Sequence, residues 1–177
     1  MNVDFSHPVN TKVLEYLKNP YFFYLSQDTT FILRCLSLRE NDLVKIKASQ
    51  SPKSVEKPYI SLGTHPDVVE RLWDEITVNL PESCRWVIYG TAVLVHPVSG
   101  IIFGWAEGTH VYTLRLPDKV LEEALRAGAK RIHSFSSSKI ILRLSLIGEE
   151  WILGGWLEAE KEWCLQAYNY AAKLAGR

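Results

Sequence analysis

RWVIYGTAVLVHPVSGIIFGWAEGTHVYTLRL, residues Arg85–Leu116, is the stretch that decides the fold. Aromatic and β-branched residues dominate it, and glycines interrupt it at turn spacing, the composition of an antiparallel meander. The spacing predicts strands over 85–89, 91–96, 101–106 and 109–116. Pro97-Val98-Ser99-Gly100 reads as a four-residue hairpin loop, and Glu107-Gly108 as a two-residue turn in which Gly accepts positive φ. With even loops, His96 opposes Ile101, Leu94 opposes Phe103 and Ala92 opposes Trp105. Across the second turn Trp105 opposes His110, Phe103 opposes Tyr112 and Ile101 opposes Leu114. Period-two alternation then sorts the side chains into two faces. One is large and aromatic, with Leu94, His96, Phe103, Trp105, His110 and Tyr112. The other is small and β-branched, with Val93, Val95, Ile102 and Val111. Neither is polar enough for open water, so the expectation is helices on both faces, or a helix on the small face and a groove on the aromatic one.

Helical spacing surrounds the meander. Val13, Leu14 and Leu17 form one stripe over 9–18, stopped by Pro20. Thr64-His65-Pro66-Asp67 opens a second helix, with Thr64 read as the cap and Val68, Val69, Leu72, Trp73 and Ile76 as its buried stripe. A third runs over 118–127, with Gly128 supplying the left-handed C-terminal position. A fourth spans about 157–174, acidic at its start and basic at its end, as the helix dipole favours. Further strands are expected at 139–146 and 150–153, with a turn at Gly148, and at 29–38 and 59–62. Residues 48–57 (ASQSPKSVEK) read as a loop or linker. Gly154-Gly155 marks a bulge or a close backbone approach. The fold class is therefore α+β: a mostly antiparallel sheet with three to four helices, in a single domain of 177 residues.

Composition excludes several function classes. Twenty basic and twenty acidic residues leave no net charge to draw the chain to nucleic acid or to an acidic membrane. The global balance hides a local bias: residues 58–114 carry a net −4 and residues 115–145 a net +4. Cys35, Cys84 and Cys164 have neither CxxC spacing nor an even count, so reduced thiols and a cytoplasmic location are expected. The chain begins without a basic segment leading into an apolar run, and no apolar stretch approaches the roughly 20 residues of a membrane span.

Candidate chemistry is sparse. No Walker, HExxH or GxSxG pattern occurs, and no cofactor is implied. His96 and His110 stand four strand positions apart on one face, roughly 13 Å. A metal needs donors at about 2 Å, so no metal site is expected there. Trp105, His110, Tyr112 and His96 are the candidate binding residues of the aromatic face. Lys130, Arg131 and Lys139, interleaved with serines, are candidates for holding an anion. A cluster of His65, Asp67 and His110 would suit acid–base work if the fold assembled it. The expected function is a binding or protein-interaction module without catalysis, taking a protein or small-molecule partner. The alternative is a small hydrolase-like or transferase-like enzyme using a histidine and a carboxylate.

Overall fold

The computed structural model describes residues 3–18, 50–53, 57, 59, 64–107, 111–131 and 148–176. Expected elements at 29–38, 59–62 and 139–146, together with His110 and Lys139, lie outside those residues in whole or nearly so. Within them the α+β class holds. Seven strands form one antiparallel sheet: β1 (Gln50–Pro52), β2 (Arg85–Ile88), β3 (Thr91–Val95), β4 (Ile102–Glu107), β5 (Val111–Arg115), β6 (Lys130–Arg131) and β7 (Trp151–Leu153). Their spatial order is β1-β2-β3-β4-β5-β7-β6. Four helices accompany it: α1 (Pro8–Lys18), α2 (Pro66–Glu70), α3 (Asp118–Arg126) and α4 (Glu160–Leu174).

Helices cover both faces of the sheet. On one side Leu72 and Trp73, Leu121 and Ala124 of α3, and Trp163, Ala167 and Ala171 of α4 pack on Val87, Leu94, Phe103, Tyr112, Leu114 and Ile152. On the other, Val13, Leu14, Tyr16 and Leu17 of α1 pack on Val93, Val95, Ile102, Trp105, Trp151 and Leu153. A sheet apolar on both faces requires two such layers. Asn10, fully buried, holds α1 in place. Its Nδ2 donates to the carbonyls of Asp4 (2.7 Å) and Gly100 (2.8 Å), and its Oδ1 accepts the N–H of Ile102 (2.9 Å).

The meander corrects its expected register twice. At the first hairpin the loop is as expected: His96 N–H donates to the Ile101 carbonyl (2.9 Å), and Gly100, at φ 70°, closes the turn on the His96 carbonyl (2.9 Å). One step on, Val95 pairs with Ile102 but Leu94 pairs with Gly104, so Phe103 is an extra residue, a β-bulge. Gly104 suits that position because a Cβ there would lie 3.0 Å from the Thr113 carbonyl oxygen and 3.2 Å from Cδ1 of Leu94. Beyond the bulge Trp105 moves to the α1 face and Ala106 takes its expected place. Across the second turn Glu107 pairs with Val111 and Ala106 with Tyr112, so the connection is odd in length, not even. Two odd shifts cancel. Tyr112 and Leu114 therefore keep the face expected of them, and Trp105 alone of the large rings changes sides.

Three other local expectations change. The cap of α2 is His65, not Thr64: His65 Nδ1 accepts the Asp67 N–H (3.2 Å), while the Thr64 hydroxyl donates to the Ala106 carbonyl (3.1 Å). The helix then widens into a π turn over Arg71–Glu75, with Ile76 N–H donating to the Arg71 carbonyl (3.0 Å). Buried Arg85 caps that turn by donating to the carbonyls of Trp73 and Thr77. Finally, the expected loop over 48–57 contains β1, whose order comes from its ladder to β2 rather than from any alternation of its own.

Candidate functional site

The aromatic face is closed. Phe103 and Tyr112 are fully buried and His96 is 6% exposed. His96 stacks on Tyr168 of α4 with ring centroids 4.5 Å apart, and its Nδ1 accepts the Ser99 N–H (3.0 Å). Burial lowers its pKa below the usual 6.5, which favours the neutral ring that can accept that bond. Trp105, also fully buried, lies against Tyr16 and Trp151 beneath α1. Of the two alternatives, helices on both faces or a groove over Trp105, Tyr112 and His96, the first holds: the protein's own helices fill that place. His7 and His65 likewise spend Nδ1 on nearby backbone, the N–H of Val9 (3.1 Å) and of Asp67. His65 Nδ1 stands 3.7 Å from the Asp67 carboxylate. Among the described residues no group of three histidine, cysteine or acidic side chains is placed to hold a metal. Burial pushes the Cys84 thiol up to about 11 and Cys164 well above its usual value, so neither is an activated nucleophile.

Lys130 and Arg131, singled out as candidates for holding an anion, form β6 on the end of the sheet. Lys130 is exposed, and Arg131 donates to the Glu149 carbonyl (3.2 Å).

Two buried arginine clusters sit at opposite ends of the β5–β7 ladder, on opposite faces of the sheet. In the first, Tyr112 is the centre. Burial, with the Glu160 carboxylate beside it, pushes the Tyr112 hydroxyl far above its ordinary pKa, so it stays protonated. It donates to Glu160 Oε2 and accepts from Arg71 Nε (3.3 Å) and from the Trp156 N–H (3.0 Å). Glu160 Oε1 accepts the N–H groups of Gly155 (3.0 Å) and Leu157 (2.5 Å). Arg71 completes its donors on Glu75 (3.0 Å) and the Leu157 carbonyl (2.8 Å). Burial opposes the Arg71 charge, but its bonds to Tyr112 and Glu75 more than restore it and leave its pKa raised. Gly154 is required here: a Cβ would meet the Tyr112 ring at 2.0 Å. The network holds Trp156 in the left-handed conformation (φ 60°), 46% exposed, with Arg71 over its ring at 5.6 Å.

The second cluster is built on Arg115, 2% exposed, whose guanidinium lies 4.5 Å over the Trp151 ring. Nη1 donates to Glu150 Oε1 (2.7 Å) and Nη2 to the Val9 carbonyl (3.0 Å); Tyr170 donates to the other Glu150 oxygen (3.1 Å). Arg115 Nε and Trp151 Nε1 are buried donors with no acceptor among the described residues. Burial lowers the Arg115 pKa, and Glu150 does not restore it. Beside the cluster lies a recess of about 450 Å³, lined by Pro8, Val9 and Lys12 of α1, by Arg115, and by Glu149 and Glu150. A volume of that order is typical of small-molecule sites. Sequence reading missed it because its walls come from three distant segments, none with a motif. The one local signal was Arg115 itself, a charged residue inside an apolar strand.

No helix among the described residues is long and apolar enough to cross a membrane. Comparison of the chain with protein-family models, with curated proteins and with solved structures finds no match.

Proposed function

We propose that this protein is a small-molecule binding module that acts without catalysis, and that the recess beside Arg115 is its site. The observation that carries this reading is that Arg115, which lines a recess of ligand size, keeps its buried Nε without an acceptor among the described residues. Buried donors are almost always paired, and the exceptions call for a specific cause. A cytoplasmic location accords with the free thiols of Cys84 and Cys164. The zero net charge weighs against a nucleic-acid partner.

The test is a fragment screen by NMR on labelled protein, read at the Trp151 indole N–H. Compounds that shift that signal, and lose the effect in Arg115→Met, support the reading. A library that moves no signal from residues lining the recess removes it.

A protein-interaction role has one observation in its favour: Trp156, a residue type enriched at binding hot spots, is held rigidly and half-exposed. Affinity capture with wild-type and Trp156→Ala baits tests it, and a partner captured equally by both is not bound there.

A further inference from the structure

The charges around the recess define its ligand more narrowly, on the reading that the recess is a binding site. Arg115 and Glu150 neutralise each other at 2.7 Å. That leaves one cation, Lys12, and one anion, Glu149, both exposed and without an ionic partner among the described residues. They come from different segments of the chain, Lys12 from α1 and Glu149 from the turn before β7. A simple anion would satisfy Lys12 and face the Glu149 carboxylate. A simple cation would satisfy Glu149 and face Lys12. A molecule carrying both charges satisfies both groups at once, and Pro8 and Val9 offer apolar contact for the rest of it.

We propose that the recess binds a free amino acid as its zwitterion, with the carboxylate on the Lys12 and Arg115 side and the ammonium on Glu149. Charge-assisted bonds of this kind contribute enough that losing either end weakens binding by about tenfold or more.

The experiment titrates labelled protein with single L-amino acids. The best binder is then compared with its carboxylic acid lacking the amine and its amine lacking the carboxylate. Binding is read at the Trp151 indole N–H and by calorimetry. The expected result is one or more amino acids that bind at least about tenfold tighter than either partial analogue. Lys12→Ala and Glu149→Ala, both at exposed positions, are expected to lose about as much while melting like the wild type. A partial analogue that binds as tightly as the amino acid overturns the proposal, as does unchanged affinity in either variant. If library fragments shift the Trp151 signal and no amino acid does, the zwitterion proposal falls and the recess remains a site. If neither does, both fall.

Discussion

The Arg71 and Arg115 clusters use the same four residue types, an arginine, a glutamate, a tyrosine and a tryptophan, and differ in how completely they are bonded. Each guanidinium nitrogen of Arg71 has an acceptor, and both oxygens of Glu160 are occupied. Arg115 leaves Nε, and its tryptophan leaves Nε1, without one among the described residues. Burial depresses the pKa of Arg115 while the bonds around Arg71 raise its own. A buried charge fully surrounded by partners fixes backbone, here the loop over 154–157. One left short of partners is a place where an added acceptor gains free energy.

The contrast can be broken by mutation. Glu160→Ala strands the Tyr112 hydroxyl, two backbone N–H groups and the Arg71 charge, and is expected to cost about 3–5 kcal/mol in urea unfolding. A loss under about 1 kcal/mol would mean that this cluster is no more structural than a surface ion pair. Gly154→Ala forces the Tyr112 ring aside and is expected to cost about 1–3 kcal/mol by the same measurement. Arg115→Met removes an under-compensated charge along with its orphan donor. It is expected to cost less than Arg71→Met, because the carboxylate it leaves behind, Glu150, is 30% exposed, whereas Arg71 leaves the fully buried Glu160 without a cation. Equal costs for the two arginines would erase the distinction between the clusters.

The smallest effect concerns pH. Burial lowers the His96 pKa below 6.5, so the unfolded chain binds more protons than the native one as pH falls below 6.5. Its contribution to stability is full above pH 6.5 and is lost as pH falls through the folded-state pKa. His96→Asn, which keeps an acceptor for the Ser99 N–H, is expected to flatten that part of the stability–pH curve. An unchanged curve would show that His96 does not titrate on unfolding.

Much of the architecture was legible because it follows from local chemistry. Gly128 and Gly148 adopt positive φ where turns were expected, at 99° and 113°. The stripe Val68, Val69, Leu72, Trp73 and Ile76 is buried in full. The close approach at Gly154-Gly155 is real, and its partner is the Tyr112 ring. The candidate site was not legible in the same way. Tyr112 was singled out as a candidate binding residue and is instead the buried hub of the Arg71 cluster. The recess joins residues 8–12, 115 and 148–150, which no periodicity connects.

The amino-acid sequence by itself determined the α+β class, the helices and the alternation that sends Leu94, Phe103, Tyr112 and Leu114 to one face, because these depend on neighbours a few residues apart. Tertiary structure alone decided the bulge at Phe103, the side on which Trp105 lies, the strand at Gln50–Pro52 and which buried arginine is satisfied. Each of those turns on a partner far along the chain: Thr113 and Leu94 for the bulge at Gly104, β2 for β1, and Val9 and Glu150 for Arg115. Backbone ladders and buried charges take whatever acceptor the fold brings to them, and that choice leaves no periodic trace in the order of the residues.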